Sequence, residues 1–114
     1  MSNRLEAAVA GAVEAVLKAL GPGKREMNYE VALAHELTSR GVSVDRQAST
    51  AGEDLRADLI VGGEIAIFIY SIEPVTYDHA QRIKRYLGAS GLRDARLLDF
   101  NQDTVEGCIT VFRR

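Results

Sequence analysis

The sequence predicts an α/β or α+β domain in which helices pack on one modest β-sheet. Three observations carry this prediction. Apolar residues recur at three- and four-residue steps in three separate stretches, the pattern of amphipathic helices. Short β-branched runs bounded by glycine and proline lie between and after them. The chain has 114 residues, of which 46% are hydrophobic and 26% charged, an ordinary balance for a single domain over residues 1–114. That composition argues against disorder, collagen and coiled coil. No window supplies the ~20 apolar residues needed to cross a bilayer, so no membrane partner is expected.

Residues 3–20 read as the first helix, with Leu5, Val9, Ala12, Val13, Val16, Leu17 and Leu20 on its core face. Gly21, Pro22 and Gly23 stop it, because glycine takes the left-handed turn and proline cannot continue a helix. A second helix runs over 24–40. Met27, Val31 and Ala34 form one stripe, with Tyr29, Leu33 and Leu37 beside it. So wide a stripe predicts burial against more than one neighbour. Strand character begins near Val42, and residues 48–54 are small and polar, a loop. Leu55 to Val61 reads as a strand interrupted by Asp58. Gly62 and Gly63 read as a hairpin turn, since both can take positive φ. Residues 65–72 are the most apolar run, on both strand faces, which predicts a central strand covered on both sides. Pro74 ends it. A third helix spans 76–90 with Ala80, Ile83 and Leu87 on its core face. Strands near 95–100 and 108–112 close the domain.

Charge bounds the function. The net charge is -2, whereas a non-specific nucleic-acid binder carries a basic excess. Residues 1–75 hold 7 basic and 11 acidic side chains, and residues 76–114 hold 7 basic and 5 acidic. A nucleic-acid role therefore needs a local patch. Arg82, Lys84 and Arg85 on the third helix are the candidates, lying about 100° to 200° around the helix from Ile83. Their plain reading is a solvated face; the sharper one is phosphate contact. The single cysteine, Cys108, excludes an internal disulfide and reads as a small buried hydrophobe in a strand. The N-terminus lacks the layout of a signal peptide, so a cytoplasmic location is expected. His35 and His79 have no zinc-ligand spacing. Gly21 to Gly23 lack the strand and Lys-Ser/Thr of a phosphate loop. Ser49, Ser71 and Ser90 sit in no nucleophile elbow.

Several motifs now align with a known family. Gly23, Glu26 and Tyr29 spell G-x-x-E-x-x-Y, preceded by Leu20-Gly21-Pro22 and followed by Glu30 to Leu37. Arg56-Ala57-Asp58-Leu59, Tyr86-Leu87 and Leu97 to Asn101 follow in order. This arrangement strongly resembles the GxxExxY protein family, a branch of the PD-(D/E)XK nuclease-like superfamily, over roughly residues 10–112. The resemblance implies a restriction-endonuclease-like core, a small mixed β-sheet of about four strands flanked by helices. It also implies an ancestral chemistry, in which an Asp on one strand and a Glu on the next hold a divalent metal, with a Lys two residues beyond the Glu.

The chain departs from that pattern where the chemistry sits. The family's Asp falls on Asp58, its Glu on Phe68 and its Lys on Tyr70, and a helix Gln falls on Arg82. Positions 68 and 70 share a strand face, so that face has exchanged a carboxylate and an ammonium for two rings. Magnesium dehydrates reluctantly and wants several oxygen ligands. The ancestral Mg²⁺ site is therefore expected to be lost, with no cofactor in its place. Arg82 or Arg56 is expected to neutralise Asp58, with the Tyr70 hydroxyl as a donor to it. Glu64 and Glu73 are the candidates for a migrated carboxylate. The expected function is an inactive nuclease-fold domain that binds a protein partner or itself through an exposed edge strand or the altered site. The alternatives are a pseudonuclease gripping nucleic acid through the third helix, and a weak nuclease with migrated ligands.

Overall fold

A computed structural model describes residues 3–46 and 55–114. The expected 48–54 loop lies outside the described residues. Helices α1 (Asn3–Leu20) and α2 (Glu26–Ser39) precede strands β1 (Val44–Arg46), β2 (Leu59–Val61) and β3 (Ile65–Tyr70). Helix α3 (Tyr77–Ser90) leads to β4 (Asp94–Asp99), a short helix α4 (Val105–Cys108) and β5 (Ile109–Arg113). The sheet has five strands in the order β1-β2-β3-β4-β5, the five read along the sequence and one more than the family resemblance implies. All neighbours are antiparallel except β3 and β4, which run parallel with Phe68 beside Leu97 and Tyr70 beside Asp99. A parallel pair needs a crossover, and α3 provides it.

The apolar run at 65–72 is explained by its place. Ile65, Ile67 and Ile69 face one cluster with Val9, Val13, Leu33 and Leu37 from α1 and α2. Ala66 and Phe68 face the other cluster, with Ile83, Tyr86 and Leu87 from α3. The helices thus cover both sides of β3, and the sheet lies between two helical layers.

Three local expectations are corrected. In α2 the buried stripe is Tyr29, Glu30, Leu33 and Leu37, while Met27 and Val31 stand 53% and 49% exposed. The expected burial against more than one neighbour holds, since α2 packs on α1 as well as on β1 and β3, but Met27 and Val31 lie outside the covered face. Strand β2 starts at Leu59, after a bend at Asp58, so the interrupting aspartate marks a strand end rather than a flaw within one. Cys108 is fully buried but ends α4 instead of sitting in a strand; Thr104 caps that turn by accepting from the Gly107 amide at 3.0 Å. No helix among the described residues is long and apolar enough to cross a membrane.

Candidate functional site

Three elements converge where β3 ends: the first turns of α2, the segment entering β2, and α3. The G-x-x-E-x-x-Y residues build the first of these. Gly23 adopts φ +83, open to glycine at little cost, and its amide donates to the Phe100 carbonyl at 2.9 Å. Tyr29 is fully buried and stacks on Phe100 with ring centroids 4.0 Å apart. Its hydroxyl donates to the Gly21 carbonyl at 2.6 Å and accepts from the Lys24 amide at 2.9 Å. Glu26 opens α2 and accepts from the Ser71 amide at 3.3 Å, while the Ser71 hydroxyl donates to the Lys24 carbonyl at 2.6 Å. The motif is thus a clamp that fixes the start of α2 to the ends of β3 and β4.

Asp58 sits at the bend just before β2 and is tied to β3. Its amide donates to the Ile67 carbonyl at 2.9 Å, and its carboxylate accepts from the Ile69 amide at 2.7 Å. Burial pushes its pKa up to about 6. The Ile69 amide opposes that rise, the charges of Glu30 and Glu26 add to it, and Arg82 draws it back. The Tyr70 hydroxyl is also pushed above its ordinary range, chiefly by burial, with Arg82 lowering and Asp58 and Glu26 raising it. The Tyr70 ring stacks on His79 at 4.2 Å. His79 is held in turn, because its Nδ1 accepts from the Thr76 amide at 3.0 Å within the capping box of α3.

The structure therefore brings Asp58, Tyr70 and Arg82 together and adds Glu26 and Glu30. Phe68 lies on the same face of β3 as Tyr70, which packs against its cluster, but points into the core. Phe68 is 3% exposed and packs edge-to-face on Tyr86, 5.2 Å away, inside the α3-side core. Lys84 and Arg85 are exposed on α3, and the helical step puts Arg82 and Lys84 on opposite flanks with Arg85 between them. They form a band around the helix rather than one patch. Two ligand expectations are corrected. The bond to Asp58 comes from the Ile69 amide and not from the Tyr70 hydroxyl, and of the two arginines it is Arg82 whose charge reaches it. The carboxylates acting on Asp58 are Glu30 and Glu26, not the expected Glu64 and Glu73. Glu64 sits in the turn before β3, about 20 Å from Tyr70 along a strand rising ~3.3 Å per residue. Glu26 and Glu30 are four residues apart on one helix face, but nothing in that spacing says that the face lies over Asp58.

Several of these groups already have protein partners. Phe68 has no lone pair to offer. Glu30 is 4% exposed and holds Arg46 at 3.1 Å, while Glu26 and Asp58 each spend an oxygen on a backbone amide. Among the described residues no three His, Cys, Asp or Glu side chains form a group that could hold a metal ion.

Comparison with known proteins matches the family model of the PD-(D/E)XK nuclease superfamily to residues 3–111. No curated protein and no solved structure matches the chain.

Proposed function

We infer that this chain, which belongs to the PD-(D/E)XK nuclease superfamily, has given up metal-dependent cleavage and acts as a protein-binding domain. One observation carries the reading. The position that supplies the family's second carboxylate is a core phenylalanine, Phe68, locked against Tyr86. Its neighbour on the same face, Tyr70, stands where an ammonium would balance developing charge, and stacks on His79 instead. The remaining carboxylates are committed to Arg46 and to backbone amides. Assignment to the GxxExxY branch rests on Gly23, Glu26 and Tyr29 and on the clamp they form.

The test is a cleavage assay on plasmid and single-stranded DNA with Mg²⁺ and with Mn²⁺. No cleavage above a metal-free control is expected. Metal-dependent nicking that disappears in Asp58→Asn would overturn the reading and favour a nuclease with relocated ligands.

The exposed band of Lys84 and Arg85 supports a second reading, retention of nucleic acid without cleavage. A gel shift across a salt series separates the two. Phosphate-driven binding weakens steeply as salt rises and falls when Lys84 and Arg85 become Ala; the protein-binding reading expects no shift.

A further inference from the structure

Strands β1 and β5 form the two edges of the sheet, and an open edge is a template for another strand. β1 is only three residues long and carries Asp45 and Arg46, the short charged edge that discourages pairing. β5 has five residues, Ile109, Thr110, Val111, Phe112 and Arg113. It contains no proline, and Val111 is 47% exposed. Arg113 does not guard the edge with a free charge, because Glu6 holds its guanidinium at 2.7 Å and Asp94 lies 3.5 Å from it.

The pairing with β4 fixes which backbone groups are open. The Arg114 amide donates to the Arg93 carbonyl at 3.0 Å. An antiparallel ladder alternates, so Phe112 and Thr110 bond inward, opposite Ala95 and Leu97. Ile109, Val111 and Arg113 then turn both N–H and C=O away from β4. The Ile109 amide is already taken by the Val105 carbonyl, so α4 closes the edge at that point. Among the described residues, the outward amides and carbonyls of Val111 and Arg113 make no hydrogen bond.

We propose that β5 is a dimerisation edge, where two copies of this chain pair antiparallel about a two-fold axis at Phe112. The proposal rests on the protein-binding reading above and names the partner as a second copy. In this register Val111 lies opposite Arg113 of the partner subunit, and Arg113 opposite Val111 of the partner subunit. The two residues with open groups satisfy each other, giving four N–H···O=C bonds across the axis. Phe112 meets the partner's Phe112 in a close, non-hydrogen-bonded pair, where an aromatic couple adds stability. A two-residue slip, centring the axis on Val111, would drive the partner strand against the Val105 carbonyl. α4 therefore selects the register. A strand of unrelated sequence would find the same four bonds but not the matched aromatic pair on the axis.

Analytical ultracentrifugation of the full chain tests this between about 1 and 300 µM, the range suited to a small interface. The wild type should pass from monomer to dimer with rising concentration. Val111→Pro removes an amide that points away from β4 and so spares the existing ladder; it should weaken dimerisation at least tenfold. Val111→Lys is the second variant, read alone if thermal melting shows that the proline variant is unfolded. A wild type that stays monomeric throughout overturns the proposal, as does a dimer unaffected by both variants. Metal-dependent cleavage would instead overturn the protein-binding reading, whatever the association state, so the two failures are told apart.

Discussion

Replacing Asp58 with Asn isolates the cost of keeping a buried carboxylate at the end of the sheet. In the folded chain Asp58 loses its proton near pH 6 rather than 3.8, mainly because burial penalises the charge. The sign follows by linkage. Well below pH 3.8 the group is protonated in both states and costs nothing. Between 3.8 and about 6 the folded chain keeps a proton that the unfolded chain has lost, so stability falls as pH rises. Above about 6 the cost is constant. At about 1.4 kcal/mol per pH unit, the gap between 3.8 and about 6 comes to roughly 2 to 3 kcal/mol. Asparagine escapes this penalty, and its amide oxygen can still accept from the Ile69 amide that Asp58 now holds at 2.7 Å. Asp58→Asn should therefore stabilise the domain by roughly 2 kcal/mol at pH 8 and leave it near wild type at about pH 3, below the unfolded-state value. Urea unfolding followed by circular dichroism at both pH values reads the difference. A variant less stable than wild type at pH 8, or a difference that does not change with pH, would refute the reasoning.

Other positions carry further expectations. Tyr29→Phe keeps the stack on Phe100 but strands the Gly21 carbonyl and Lys24 amide; urea unfolding should show a loss of roughly 2 kcal/mol, and a loss under 0.5 would deny the clamp. Ile72 is a β-branched residue at φ +74, 62% exposed, with its amide bonded to Asn101 Oδ1 at 2.8 Å. Ile72→Gly should raise stability by about 1 kcal/mol by relieving that conformation, read in the same assay; a loss would show that the side chain stabilises the fold. Phe68→Glu, the change back to the family's residue, should cost roughly 3 to 5 kcal/mol, because it empties a core site against Tyr86 and buries a charge there. A folded Phe68→Glu variant of wild-type stability would mean that the position is still open to the site.

The elements that could be read in advance are those with strong local periodicity or firm stops. α1 needed only its seven apolar positions and the Gly21-Pro22-Gly23 stop, and β3 only a run apolar on both faces. α2 was harder, because Met27 and Val31 continue its apolar pattern on the side away from the sheet. Hydrophobicity gives no sign of which face the sheet will cover. α4 is a single turn with one cap, too short to leave a period. At the site, Asp58, Tyr70 and Arg82 were legible through the family pattern. Glu26 and Glu30 were not, because their nearness to Asp58 arises from the docking of α2 across the sheet. The partners of Asp58 were missed for a related reason. Backbone amides are the same at every residue, so Ile69 leaves no mark in the sequence.

Calorimetric titration of the wild type and Asp58→Asn with Mn²⁺ and Mg²⁺ at pH 7.5 tests the proposed loss of the metal site most directly. Only weak, non-saturating heats are expected, the same in both proteins. A saturable micromolar site in the wild type that vanishes in Asp58→Asn would contradict the account.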